Sequence, residues 1–191
     1  MIILGIDPGI ATTGYGVLKI DKNQLKGIIN NKTEKEVSLQ KDFYKASTLI
    51  DYGCLVTDKT LESGKRLQKL YFDIQELLSR VKPSVTTIER LFFFKNAKTI
   101  ISVSQAKGVV ILASSQADIP ILEYTPLQVK SMVTGYGRAK KNDVRKEVKI
   151  FLNEKKLELK KGQKTKDGYH LDDAVDALAV AICHTLKMYS T

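Results

Sequence analysis

The sequence predicts an α/β fold: a mixed five-stranded sheet with helices on both faces. Two β-type runs at residues 2–20, split by Asp7-Pro8-Gly9, and a third at Ser47 to Thr57 read as a meander. Later short apolar runs alternate with stretches of three- and four-residue periodicity, the pattern of strands alternating with helices. The 191 residues, 43% of them hydrophobic, can fill one core but are short for two domains. The expectation is therefore a single domain over 1–191, without internal repeat.

Each element has its own signal. Ile2 to Ile6 is apolar and ends on Asp7, and Gly14-Tyr15-Gly16-Val17-Leu18-Lys19-Ile20 resumes as a second strand after the turn. Residues 21–45 are rich in Lys, Asn and Glu, with few large apolar side chains before Phe43-Tyr44, which predicts a mobile polar hairpin insertion. Leu67, Leu70, Ile74, Leu77, Leu78 and Val81 share one helical face ending before Pro83. Val85 to Ile88 is a fourth strand, ending on Glu89. A helix from about Asn96 to Gln116 has apolar residues around much of its circumference, so it is expected to be buried on more than one side, by the core or by another subunit. Ile119 to Tyr124 reads as the fifth strand, and Pro126 as the first-turn proline of a short helix. Val144, Val148, Phe151 and Leu152 form the face of another helix. A last helix from about Asp172 to Lys187 turns Val175, Leu178, Ile182 and Leu186 inward.

Charge narrows the function. Thirty-one Lys and Arg face 21 Asp and Glu, a net +10, which points to a polyanion or an acidic membrane surface. No run approaches the roughly 18 apolar residues that span a bilayer. The chain starts directly on its first strand without a leader-like segment, and Cys54 and Cys183 lie too far apart for a disulfide framework or a zinc ribbon. A cytoplasmic protein with no membrane partner is expected.

Against this basic background four acids stand out. Asp7 ends a buried strand before Pro-Gly, at the carboxyl edge where α/β folds bind ligands, although an Asp there equally suits a turn cap. Glu89 ends another strand among apolar and β-branched neighbours; taken alone it also fits an ordinary surface position. Asp173 and Asp176 share a helical face one turn apart, with Asp172 beside them as a rival or an N-cap; acids also suit the positive end of a helix dipole. Together they form a candidate all-oxygen site for Mg²⁺ or Mn²⁺, because crowded like charges need a compensating cation.

The blocks Ile2-Ile3-Leu4-Gly5-Ile6-Asp7-Pro8-Gly9, Thr13-Gly14-Tyr15-Gly16-Val17, Ile88-Glu89-Arg90-Leu91-Phe92, Gln105-Ala106-Lys107-Gly108-Val109, Gln128-Val129-Lys130 and Asp173-Ala174-Val175-Asp176-Ala177-Leu178-Ala179 occur in this order. In that combination the chain resembles the RuvC-type Holliday junction resolvases, from its first residue to about His184. The resemblance implies a ribonuclease H-like fold and a homodimer that cuts two strands of a four-way DNA junction symmetrically, with RuvA and RuvB branch-migration proteins as partners. It implies Asp7, Glu89, Asp173 and Asp176 as metal-binding catalytic acids, with two Mg²⁺ per site and Mn²⁺ able to substitute. Phe92 would stack near the junction centre, and Lys130 and Lys141 would lie near the scissile phosphates. Lys95, Lys107, Arg138 and Lys140 are further candidate DNA contacts. Residues 21–45 and a Lys-rich connection at about 153–169 are longer than the family pattern, so no role carries over to them.

Charge placement supports a phosphate-tracking surface independently. Arg138 to Lys166 holds 12 Lys or Arg against 4 Asp or Glu, and so most of the chain's excess charge, next to the glycines of Thr134-Gly135-Tyr136-Gly137. A solvated basic loop is the plainer alternative. Phe92, Phe93 and Phe94 cannot all face inward in one regular element, and one exposed aromatic beside a metal site suits base stacking. The leading reading is a structure-selective endonuclease using two metals and leaving 5′-phosphate and 3′-hydroxyl ends. A ribonuclease H-like enzyme acting on RNA, an actin-like ATPase, for which the chain is too short, and a DNA-binding module with structural acids are the competitors.

Overall fold

The computed structural model describes residues 1–30, 39–90, 97–153 and 170–188. In chain order the elements are β1 (Ile2–Asp7), β2 (Thr12–Ile20), α1 (Lys22–Asn30), α2 (Leu39–Ala46), β3 (Ser47–Val56), α3 (Ser63–Val81), β4 (Val85–Glu89), α4 (Ala97–Gln116), β5 (Ile121–Tyr124), α5 (Pro126–Thr134), α6 (Lys141–Leu152) and α7 (His170–Lys187). The five strands make one sheet in the order β3-β2-β1-β4-β5. β1, β2 and β3 pair antiparallel as the meander, whereas β4 and β5 join in parallel, each after a helical crossover.

Strand alternation divides the core into two layers. Leu4, Ile6, Tyr15, Val17 and Ile88 face α3 and α4, packing with Leu70, Ile74, Leu77, Ala106 and Val110. Ile3, Leu18 and Val85 face the other way, into a larger cluster with α5, α6 and α7. Asp7 and Glu89 lie on the α7 side at the ends of neighbouring strands, since Ile6 pairs with Ile88 one residue earlier.

The insertion is the main departure from expectation. Residues 22–30 and 39–46 are helices, not a mobile polar hairpin. Asp21 caps α1, accepting hydrogen bonds from the backbone of Asn23 (2.9 Å) and Gln24 (3.1 Å). Leu25 and Phe43 are fully buried, and the Phe43 ring meets Phe151 of α6 edge-on, 5.1 Å between centroids. Two apolar residues per helix, Leu25 and Ile28 from α1 and Phe43 and Ala46 from α2, are enough when they pack on an existing core. The connection at 154–169, Phe92 and Lys95 lie outside the described residues.

α4 also differs. Ala106, Val110 and Ala113 are buried against the sheet, while Ile101 and Leu112 are more than half exposed. Within one chain, a single side of this apolar helix is covered.

The closest packing in the fold lies between α7 and the first two strands. Gly5 and Gly16 pair across β1 and β2, and Gly14 pairs with Asp7. A Cβ at Gly5 would sit 2.0 Å from the Ala177 carbonyl oxygen, one at Gly14 2.0 Å from the Asp173 carbonyl oxygen, and one at Gly16 2.6 Å from the Leu178 side chain. On the helix side Ala174, Ala177 and Ala181 are fully buried. The missing side chains let the helix backbone rest on the sheet, which sets the height of its acids above β1.

Gly5→Ala is expected to lower stability by about 1–3 kcal/mol, as overpacking does, whereas Gly64→Ala in α3, where an added Cβ meets nothing within 4 Å, should be neutral or stabilising. Thermal unfolding of the two variants checks this; equal melting temperatures would show that α7 does not rest on the glycines.

Candidate active site

Local structure brings each group to the site by a separate route. Asp7 and Glu89 are delivered by strand ends, and Asp173 and Asp176 by the first turns of α7. Lys130 sits in the middle of α5, whose start is fixed by a capping box: Gln128 N donates to Thr125 Oγ1 (3.2 Å) and Thr125 N donates to Gln128 Oε1 (2.9 Å). Lys141 opens α6.

Asp7, Glu89, Asp176, Lys130 and Lys141 line one open pocket of about 350 Å³, floored by Val129, Val144 and Ala179. A larger cleft of about 550 Å³ lies at the opposite end of β4, between the C-terminal ends of α3 and α4, remote from these acids.

Electrostatics mark the pocket as a place of unbalanced negative charge. Burial, then the charges of Asp176, Glu89 and Asp173, holds the Asp7 carboxyl well above its ordinary value. Burial and the neighbouring Asp176 push Glu89 up to about 7. Asp176 is also raised by burial, even though Lys141 opposes the shift. Lys141 Nζ donates to Asp176 Oδ2 at 3.0 Å, and Lys130 acts in the same direction on Glu89 and Asp176. These lysines offset the crowding only in part.

Asp173 raises the carboxyl of Asp7 by its charge, so it belongs to the same electrostatic cluster from the neighbouring turn of α7. Asp172 pairs with Arg145 of α6 at 3.2 Å, and its charge also raises the carboxyl of Asp176. Lys107 is turned to Glu123 (2.8 Å) on the face that carries α4, and only 14% of its side chain is exposed. Arg90 reaches the same carboxylate at 3.4 Å. Arg138 and Lys140 are exposed on the corner that leads into Lys141.

Among the described residues no three acid, His or Cys side chains close on a single point. The donor set nevertheless fits a hard divalent cation: carboxylate oxygens on three separate elements, shifted upward by burial and by neighbouring like charges, which a bound cation would offset. Asp7, Glu89, Asp173 and Asp176 would hold it.

Two further features escaped sequence reasoning. The facing glycines of β1 and β2 were legible only as strand residues, because their use depends on which helix crosses them. Tyr124 Oη and His184 Nδ1 share a buried hydrogen bond of 2.7 Å that fixes the rear of α7 to β5, beside Glu89 in the strand register. No local motif announces a contact between residues 60 positions apart.

A meander followed by two parallel strands, with carboxylates at the ends of adjacent β1 and β4 and on a helix laid across them, defines a nuclease of the ribonuclease H-like class. The family model for crossover junction endodeoxyribonuclease RuvC matches residues 3–184. A protein of that description from Alkaliphilus metalliredigens is 41% identical over 184 residues, covering 96% of this chain and 92% of the relative. Another from Caldicellulosiruptor saccharolyticus is 41% identical over 190 residues, covering 100% and 95%. The solved structure of T. thermophilus RuvC in complex with Holliday junction substrate is similar with a TM-score of 0.74 at 25% identity, covering 100% of this chain and 96% of that one. The chain belongs to the RuvC family of crossover junction endodeoxyribonucleases, which are divalent-metal-dependent hydrolases.

Because the Asp7 charge is held against burial and three like charges, Asp7→Asn should melt about 2–4 °C higher than wild type without divalent ions. Added Mg²⁺ should raise the wild-type melting temperature and barely move the variant. A variant that melts lower in chelator, or that keeps the full Mg²⁺ shift, contradicts the electrostatic reading.

Proposed function

We propose that this protein resolves four-way DNA junctions by paired, symmetric hydrolysis of phosphodiester bonds, leaving 5′-phosphate and 3′-hydroxyl ends, with Asp7, Glu89, Asp173 and Asp176 as its catalytic acids. The observation that carries the reading is the convergence of Asp7, Glu89 and Asp176 with Lys130 and Lys141 on one pocket. Acids alone would repel DNA; acids rimmed by cations suit a site that gathers divalent metal and a phosphate together.

Mg²⁺, two ions per site with Mn²⁺ able to substitute, would supply a hydroxide nucleophile and Lewis-acid stabilisation of the departing 3′ oxygen. The protein's part is positional. Asp7 and Glu89 project from adjacent strands of a rigid sheet, and Asp173 and Asp176 from a helix pressed on that sheet, so the carboxylates keep their spacing when DNA binds. Lys141, reaching into the pocket, and Lys130 on its wall are placed to attract the scissile phosphate and to balance charge that grows on it in the transition state. The exposed Arg138 and Lys140 extend the positive surface outward along the backbone.

Two copies are required for two symmetric cuts, and the exposed apolar side of α4, with Ile101 and Leu112, supports a two-fold contact there. Phe92, two residues beyond Arg90, remains the proposed stacking residue and Lys95 a proposed DNA contact. Lys107 is the weakest proposed contact, because it must leave Glu123 to reach a phosphate. RuvA and RuvB are the proposed partners through family membership. No helix among the described residues is long and apolar enough to cross a membrane; the proposed place, in the cytoplasm on DNA, follows from the proposed substrate.

Incubation with a synthetic four-way junction, a plain duplex and an RNA–DNA hybrid, with and without Mg²⁺, tests the function. Paired ligatable nicks in the junction alone are expected, and Asp7→Asn should lower the rate by at least about 10³-fold while binding persists. Preferential cutting of the hybrid would make the protein a ribonuclease instead. Light scattering should give twice the 21.4 kDa chain mass; a monomer that still makes paired cuts would exclude the two-fold arrangement.

A further inference from the structure

The corner between α5 and α6 carries a side chain that neither the acid cluster nor the lysines account for. Tyr136 is 62% exposed, yet its backbone is closely held. Gly135, at φ 76°, ends α5 and donates to the Ser131 carbonyl at 2.8 Å. The Tyr136 N–H donates to Thr134 Oγ1 at 3.1 Å. Its carbonyl accepts from Ala139 N at 3.0 Å, closing a turn, and Ala139 is buried. Lys140 N then donates to the Asp143 carboxylate at 3.0 Å, which starts α6. A fixed backbone therefore presents a free phenol ring.

The ring stands in a cationic setting. Arg138, Lys140 and Lys141 follow within five residues, all exposed, and Lys141 reaches Asp176 in the pocket. Gly137 packs over Leu127, itself 61% exposed at the start of α5; a Cβ on that glycine would lie 3.1 Å from Leu127 Cγ. The corner thus joins an apolar spot to a row of positive charges at the pocket's edge. A protein partner of ordinary composition is poorly matched to so dense a run of cations, whereas nucleic acid offers anionic phosphates alternating with apolar base and sugar faces.

We propose that Tyr136 is a substrate-binding residue whose ring makes a stacking or apolar contact with the base or sugar of a nucleotide flanking the scissile phosphate, fixing the register of the strand as it enters the pocket. The inference rests on the junction-cleaving reading above and adds to it a contact of a different kind from the lysines. Its signature is thermodynamic. Loss of a phosphate contact lowers the dependence of affinity on salt, while loss of a stacked or apolar contact lowers affinity and leaves that dependence unchanged.

The test measures junction binding in chelator, where no cutting occurs, across a salt series for wild type, Tyr136→Ala, Tyr136→Phe and Arg138→Ala. Tyr136→Ala should weaken binding at least about fivefold with the wild-type salt slope, Tyr136→Phe should bind as wild type, and Arg138→Ala should reduce the slope by about one. Repeating the comparison with abasic nucleotides beside the cut separates the two faces. A Tyr136→Ala deficit that vanishes on the abasic junction identifies the base, and one that persists identifies the sugar; either supports the contact. Wild-type affinity in Tyr136→Ala, or an equal loss in Tyr136→Phe, overturns it, the latter by showing that the hydroxyl is what matters. A wild-type protein that does not bind the junction overturns the functional reading instead.

Discussion

The structure depends on the contact of α7 with the glycines of β1 and β2. A helix packed on a sheet through ordinary side chains stands about 10 Å away from it. Here Gly5, Gly14 and Gly16 remove the sheet's side chains, and Ala174, Ala177 and Ala181 keep the helix's own side small. The carbonyls of Asp173 and Ala177 come to rest where strand side chains would otherwise be. This approach brings the acids of α7 within electrostatic reach of Asp7, and no other element in the fold supplies them.

The contact brings a cost with it. Carboxylates that repel one another are held partly buried, and Asp7, Glu89 and Asp176 are all shifted upward, first by burial and then by neighbouring acids. Lys130 and Lys141 temper it without removing it. A protein selected only for stability would neutralise one of these acids. Retaining them favours a cation at the site, the trade between stability and activity expected where charge is kept for chemistry.

The two faces of the sheet have different tasks. The α3 and α4 side holds an apolar layer with ion pairs such as Lys107–Glu123 along it, and α4 still exposes Ile101 and Leu112. The other side carries every element that touches the pocket, with α5 and α6 meeting α7 around a shared core. The helices α1 and α2 join this side as well, since Phe43 packs on Phe151 of α6. The added segment thereby buttresses the helix that presents Lys141, although none of its described residues lines the pocket.

Much of this was legible from the sequence alone. Strand alternation, the first-turn proline at Pro126, the apolar faces of α3, α6 and α7, and the strand-end positions of Asp7 and Glu89 are local patterns, set by backbone geometry within a few residues. The shared helical face of Asp173 and Asp176 was legible too, but each acid alone had an ordinary use, as turn cap, surface residue or partner of the helix dipole, and it was their combination in a basic chain that singled them out. Tertiary structure decided what distant residues do to each other. It folded residues 22–30 and 39–46 into helices, since Leu25 and Phe43 find a core that only the rest of the chain provides. It sent Asp172 to Arg145 and Lys107 to Glu123, and left Tyr136 bare on a fixed corner. Periodicity says which residues face inward, but ion pairing and burial depend on which surface stands opposite, and that is settled only when the helices are laid on the sheet.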